Sequence, residues 1–241
     1  MADALETRVK ALEEDLVRLK LDLREKEQEL QTLRDIEDIK RLQCAYGYYL
    51  ERWMNKEIID CFADDPDVEA TFVEGTYQGK EGVIRYFNRA GEVAPEFLHQ
   101  VMQVSPVITV DEYGLRAKGR WYGYGSIGFR PLNGAIDPSI MSVVYEMEYI
   151  KEGGVWKILK LALQLHYSYN MRRMLGMAGE EESAAPSDMQ LDPDEWAEYN
   201  TSYPSGYIYP MHFVHPVTGK PTSEAERNAK LDLQPSMFKP K

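Results

Sequence analysis

The chain has 241 residues and a formal net charge of −12, because 40 Asp and Glu residues outnumber 28 Lys and Arg residues. Such an acidic chain lacks the cationic surface that phosphate groups require, which argues against nucleic acid as a partner. No apolar run is long enough to cross a membrane and the charged start does not resemble a signal peptide, so we expect a cytoplasmic protein without a membrane partner. The two cysteines, Cys44 and Cys61, fall in apolar helical surroundings and are expected to be buried thiols rather than a disulfide.

Residues 1–34 carry a heptad repeat of apolar residues, which predicts a coiled-coil helix. Position a is occupied by Val9, Leu16, Leu23 and Leu30, and position d by Leu5, Leu12, Leu19, Lys26 and Leu33. In a parallel, in-register coil, the pairs between positions g and e of neighbouring chains are Arg8–Glu13, Asp15–Lys20, Asp22–Glu27 and Glu29–Arg34. Three of these pairs attract and Asp22–Glu27 repels, so the segment mildly favours parallel chains and hence a cyclic homo-oligomer. A solvated helix that folds back on its own domain is the alternative.

From Asp35 the apolar spacing becomes that of an amphipathic helix that packs on one side. A second helix begins after Asn55 and ends at the breaker cluster over 64–66. The pattern then predicts a strand over 68–73, a turn over 75–82 and a short helix through Ile84 and Phe87.

Beyond this helix the period of the apolar residues changes to two, which predicts long strands. These cover residues 98–110, 115–125, 141–151 and 155–167, with turns at 111–114, 131–138 and 152–154. Helices followed by an antiparallel meander predict an α+β fold with helices on one face of a curved sheet. The predicted domains are a coiled coil over 1–34, an α+β domain over 35–175, and an acidic linker with an aromatic, proline-rich tail over 176–241. The tail is expected to wrap over its own or a neighbouring subunit.

Residues 35–169 resemble the SnoaL-like branch of the nuclear transport factor 2-like superfamily. The matching stretches are Asp35–Leu42, Ala45-Tyr46, Leu50-Glu51, Ile58–Asp65, Gly75, Gly79–Ile84, His99 and Gly154–Ile158. The resemblance implies a cone-shaped domain, in which a curved antiparallel sheet and the N-terminal helices enclose one pocket, here preceded by the coiled-coil helix. Relatives occur as dimers and as trimers, and we expect a trimer.

The resemblance also implies catalytic residues. His99 at the head of its strand would be the acid–base group, since an imidazole can take and return a proton near neutral pH. Gln103 lies on the same strand face. Glu51 stands where the family often has a catalytic or histidine-orienting aspartate, and Tyr124 stands near the second histidine of scytalone dehydratase, where a phenol would donate a hydrogen bond to a substrate oxygen. A histidine satisfied by backbone and a solvated glutamate are the alternatives for His99 and Glu51.

The remaining candidates would bind the substrate as walls of the pocket: Tyr46, Tyr49, Trp53, Trp121, Tyr145 and His166. Core packing is the alternative for each aromatic residue. His212 and His215 lack companion ligands, so no metal site is predicted. Without a phosphate-binding loop, a serine elbow or a plausible catalytic cysteine, no cofactor is expected, and cofactor-free acid–base chemistry remains.

These features predict a lyase that acts on a hydroxylated aromatic small molecule. By its resemblance to lyases of aromatic-degrading bacteria, it would either remove water or release formaldehyde from a lignin-derived biaryl by C–C cleavage. An isomerase or cyclase of the same fold and a non-catalytic binding or assembly protein are the alternatives. The expected partners are the aromatic substrate and further copies of the chain.

Overall fold

The computed structural model describes residues 2–89, 97–129, 137–171 and 192–240. Its helices are α1 (Ala2–Glu51), α2 (Asn55–Asp60), α3 (Gly79–Asn88) and α4 (Glu224–Asn228). Its strands are β1 (Glu69–Thr71), β2 (Gly75–Gln78), β3 (Leu98–Val110), β4 (Arg116–Phe129), β5 (Asp137–Glu152), β6 (Val155–Asn170) and β7 (Glu195–Trp196). The predicted α+β class, with a long N-terminal helix and four long meander strands, is confirmed.

The seven strands form one curved sheet in the order β3-β4-β5-β6-β1-β2-β7, which is not closed into a barrel. Strands β3 to β6 pair antiparallel as predicted, but β1 runs parallel to β6, with Glu69 opposite Lys160. The prediction of a wholly antiparallel sheet was therefore wrong. The reason lies just before β1, where Phe62 already bridges to Ile158 in parallel and guides the chain into the sheet alongside β6.

Residues 75–82 do not form the predicted turn. Residues 75–78 form β2, which pairs antiparallel with β1, and Gly79 begins α3. The chain reverses before β2, where the backbone N–H of Phe72 donates to Gly75 O and the N–H of Gly75 donates to Phe72 O. β2 is a strand because both of its edges find partners, β1 on one side and β7 on the other. Most of the predicted turn at 131–138 lies outside the described residues, as do residues 176–191 of the predicted linker and tail.

Helix α1 is continuous across the predicted boundary between the coiled coil and the domain. Every side chain from Leu5 to Gln31 is exposed, whereas Asp35, Ile39 and Leu50 are buried. Asp35 attaches the helix to the sheet, since its Oδ1 accepts hydrogen bonds from Trp156 Nε1 at 2.9 Å and from Lys151 Nζ at 2.5 Å. Among the described helices, none combines the length and apolar character needed to cross a bilayer.

The sheet has two faces that differ in what covers them. The inner face, which α1, α2 and α3 cover, carries the buried side chains Trp121, Val143, Tyr145, Met147 and Tyr149. The outer face carries the residues that alternate with these, among them Arg120, Tyr122, Tyr124 and Glu146. The tail packs on this outer face of its own chain, because Arg120 Nη1 donates to the carbonyls of Tyr209 and Pro210, and His212 Nδ1 bonds Glu146 Oε2 at 2.9 Å.

Candidate active site

His99 lies on the inner face at the start of β3. Val101, two residues along the strand, is buried on the same face. The imidazole packs at 6.2 Å, between ring centroids, from the indole of Trp53. Its Nδ1 atom is buried and has no hydrogen-bond partner among the described residues. Burial lowers the pKa of His99 to about 4, so the ring is neutral at neutral pH.

Trp53 owes its position to an unusual helix end. Its φ of 52° lies in the left-handed region, its N–H donates to Leu50 O at 3.0 Å, and the N–H of Met54 donates to Tyr49 O at 3.0 Å. These two bonds form a Schellman motif, in which glycine normally takes the left-handed place. A tryptophan there costs about 1 kcal/mol. The indole gains a hydrogen bond from Nε1 to Phe87 O at 2.9 Å, which holds it beside the imidazole.

A chain of buried hydrogen bonds fixes the amide of Gln103 on the same strand face as His99. Trp121 Nε1 donates to Tyr149 Oη at 3.0 Å, Tyr149 Oη to Gln43 Oε1 at 2.8 Å, and Gln43 Nε2 to Gln103 Oε1 at 3.1 Å. Gln103 Nε2 then donates to Val101 O at 3.1 Å. Because each donor meets an acceptor, this polar chain is satisfied inside the core.

Tyr145 is a buried phenol that hydrogen-bonds Gln103. Burial raises the pKa of Tyr145 to about 12, and the bond to Gln103 opposes that rise only in part. The phenol is therefore protonated at neutral pH and is a hydrogen-bond donor. Space for its ring comes from Gly123, because a Cβ at that position would lie 2.7 Å from Tyr145 Cε2.

The three other predicted residues near this region have different surroundings. Tyr46 is fully buried, its ring packs edge-on against Phe62 and Phe87, and burial raises its pKa well above the usual value. Tyr49 is partly buried against the core. Glu51 is the last residue of α1 and lies 3.9 Å from Arg52 Nε in an ion pair. No hydrogen bond among the described residues joins Glu51 to His99.

Tyr124 and His166 lie on the outer face, so the structure does not bring them to His99. Tyr124 pairs with Ser142 across the sheet and is 46% exposed. The His166 ring packs at 6.1 Å from Tyr122, and its backbone carbonyl accepts a bond from Tyr203 of the tail. Burial, followed by the charge of Arg120, lowers the pKa of His166.

Sequence reasoning missed Gln43 and Tyr149, which orient Gln103. A signal for Gln43 was present, since it falls four residues after Ile39 and three before Tyr46 on the buried side of α1. A polar residue on such a side needs a buried partner. No comparable signal marks Tyr149, whose strand position suits an ordinary core residue. Among the described residues, no group of His, Cys, Asp and Glu is arranged to hold a metal ion.

The sequence profile of the SnoaL-like domain matches residues 31–162, which is more than half of the chain. The chain therefore belongs to the SnoaL-like domain family, and the predicted resemblance to that family is confirmed. None of the curated proteins matches the chain.

Solved structures similar to the chain include two hexachlorocyclohexane dehydrochlorinases. The type 2 enzyme (LinA) is 20% identical, with 66% of this chain and 99% of that chain covered and a TM-score of 0.47. LinA type 3 from Novosphingobium barchaimii is 21% identical, with 59% and 93% covered and a TM-score of 0.45. A scytalone dehydratase-like protein from Novosphingobium aromaticivorans is 17% identical, with 58% and 89% covered and a TM-score of 0.47.

Proposed function

We propose that this chain is a cofactor-independent lyase that acts by acid–base catalysis on a hydroxylated aromatic small molecule. The observation that carries the proposal is His99, whose Nδ1 is buried on the inner face without a partner among the described residues. A buried polar atom without a partner has a cost that a structural histidine usually avoids. A bound substrate hydroxyl would supply the missing partner.

The proposed base is neutral before substrate binds, because the pKa of His99 lies near 4. In the C–C cleavage route, Nδ1 takes the proton of a hydroxymethyl group, the oxygen closes the C=O bond of formaldehyde, and the electron pair of the broken C–C bond stays on the benzylic carbon. The imidazolium then returns the proton to that carbon. In the dehydration route, Nδ1 takes a proton from carbon and the electron pair of that C–H bond forms a C=C bond as the C–O bond breaks. The leaving hydroxide then takes the proton from the imidazolium and departs as water.

Neighbouring groups support an aromatic ligand. Tyr145, as a protonated phenol, would donate a hydrogen bond to a phenolic or carbonyl oxygen of the substrate. Gln103, whose amide bonds Val101 O and Tyr145, would orient that phenol. Aromatic side chains of the inner face, Tyr46, Tyr49, Trp53 and Trp121, would form the apolar wall of the pocket. Glu51 remains the proposed assisting carboxylate. Tyr124 and His166 have no role in this proposal, because they lie on the other side of the sheet.

The test is turnover of a panel of hydroxylated aromatic compounds, with ligand binding followed in parallel by tryptophan fluorescence. We expect His99→Gln to lower kcat by about 10²- to 10⁴-fold, the usual contribution of a general base, with ligand affinity retained. Glu51→Gln tests the assisting carboxylate. His215→Gln, in the exposed part of the tail, is the matched control and should keep the parent kcat. Formaldehyde detection separates C–C from C–O cleavage.

Three results would contradict the proposal. An unchanged kcat in His99→Gln would show that His99 is not the base. A product with the same elemental formula as its substrate would indicate an isomerase or cyclase. Binding of the aromatic panel without turnover of any member by the parent would indicate a binding protein.

A further inference from the structure

The first part of α1 projects beyond the globular body as an isolated helix. Its first side-chain bond to the body is that of Gln28 Nε2 with Glu112 O, at 2.9 Å. The preceding residues from Ala2 span about 40 Å at 1.5 Å per residue. Their helix is continuous with the segment that Asp35 and Ile39 attach to the sheet, so the projection has a fixed direction relative to the body.

An apolar stripe runs along this projection without cover. Its members are the apolar a and d residues of the heptad, interrupted once by Lys26 and each 47–67% exposed: Leu5, Val9, Leu12, Leu16, Leu19, Leu23, Leu30 and Leu33. We call this stripe the seam. A monomeric protein rarely exposes a contiguous apolar surface of this length. Its 3.5-residue period is that of helices that wind around one another.

The seam faces away from the globular body. At about 100° per residue, Leu30 and Leu33 lie on one side of α1, while the buried Asp35, Ile39 and Tyr46 lie on nearly the opposite side. The exposed residues Arg41, Cys44 and Tyr48 continue the seam side along the body. Helices that meet through the seam therefore hold their globular bodies on the outside, where these do not obstruct the contact.

We propose that residues 5–33 of α1 bind the same residues of identical chains in a parallel, in-register coiled coil. Charge complementarity selects a second copy as the occupant. Arg8–Glu13, Asp15–Lys20 and Glu29–Arg34 each attract between chains in the parallel arrangement. The polar Lys26 at position d, which bonds Glu29 Oε2 of its own chain at 2.8 Å, weakens the coil and fixes its register.

Light scattering on the full chain tests the contact with a matched pair of double variants. Leu16→Asp/Leu19→Asp places charges in the seam, and Val17→Asp/Leu21→Asp places them at heptad positions b and f on the other side of the helix. The two pairs are similarly exposed in the single chain, 51% and 61% against 59% and 60%. We expect the parent and the control pair to show a multiple of the 27.8 kDa chain mass, threefold for the predicted trimer, and the seam pair to show the single mass.

The direction of the chains has its own test. In a Cys44→Ser background, Leu12→Cys lies in the seam and Glu14→Cys on the far side of the helix. A parallel, in-register coil brings two copies of residue 12 together, so mild oxidation should cross-link the first variant and not the second. An antiparallel coil separates them by about 20 Å.

A parent chain with the single mass at tens of micromolar would overturn the coiled coil, as would equal masses for the seam and control variants. Failure of Leu12→Cys to cross-link in an oligomer would overturn the parallel arrangement. Residues 1–34 contain no Phe, Trp or Tyr, so near-UV circular dichroism reports the packed aromatic residues of the globular body and recognises its unfolding separately from dissociation of the helices. Lys26→Leu should strengthen the assembly and lower its dissociation constant.

Discussion

The two faces of the sheet carry the same kinds of residue in opposite environments. On the inner face, His99 and Tyr145 lie under helices, and their titration is shifted by burial. On the outer face, Tyr124 is half exposed, and His166 contacts the tail through its backbone. A tyrosine and a histidine of one sheet can thus have unrelated roles, and the parity of the strand decides which role each has.

The polar groups of the two faces also have different partners. Those of the inner face bond one another, from Trp121 to Gln103, and Nδ1 of His99 has no partner in the part of the chain that the structure describes. Those of the outer face bond the tail, as Arg120 and Glu146 do. The inner face therefore bonds within itself around the unpartnered Nδ1 of His99. The outer face bonds the tail, where Gln164 Oε1 and His212 Nε2 also lack a partner among the described residues. Three predictions test this difference.

The largest expected effect is a loss of folding stability when α1 loses its polar contacts with the sheet. Asp35→Ala removes the partner of Lys151 and Trp156, and we expect the free energy of unfolding to fall by about 3 kcal/mol, as when a buried ion pair loses one member. Asp38→Ala on the same helix is the control, since its carboxylate is exposed and lies 3.9 Å from Arg41. It should change stability by less than about 0.5 kcal/mol. Denaturant unfolding measures both.

The sign of the pH dependence gives a further check on Asp35. Burial alone would raise the pKa of this carboxyl, but the hydrogen bonds from Lys151, Trp156 and Gln31 outweigh it and lower the pKa. The contribution of Asp35 is therefore present above the unfolded value near 3.8 and is lost as pH falls through the lower folded pKa. An Asp35→Ala deficit that stayed constant to the lowest pH would contradict this assignment.

The second effect compares one substitution on the two faces. Tyr145→Phe removes a hydroxyl that would bind a substrate oxygen, and we expect kcat/KM to fall by about 100-fold, as for the loss of one oxyanion donor. Tyr124→Phe removes the same atom from the outer face and should change kcat/KM by less than about twofold. Steady-state kinetics on one substrate measures both. The reverse ranking would place the reacting molecule on the outer face.

The sequence predicts the meander well, because the period of two over β3 to β6 is long and its turns are marked by glycine. It fails at β2, whose strand structure depends on β1 and β7 rather than on its own four residues. Among the site residues, the resemblance alone places Tyr124 in the pocket. The alternation of side chains along β4 instead puts it on the face opposite to Trp121. The side-chain partners of Gln103, and the left-handed Trp53 where glycine is expected, follow from tertiary contacts that no local pattern records.

The smallest expected effect is the response of activity to mild acid. A base with an ordinary histidine pKa of 6.5 would lose about tenfold in kcat/KM between pH 8 and 5.5. Burial lowers the pKa of His99 to about 4, so its ring stays neutral over that range, and kcat/KM should change by less than about twofold. His166→Gln, on the outer face, should leave this profile unchanged.

The same pKa shift predicts a pH dependence of the free energy of unfolding. Because protonation of the imidazole favours the unfolded chain, the contribution of His99 is complete above pH 6.5 and declines as pH falls toward 4. His99→Gln should remove this part of the pH dependence of the free energy of unfolding. A fall of kcat/KM with an apparent pKa near 6.5 that persists in His166→Gln would contradict the burial of the base.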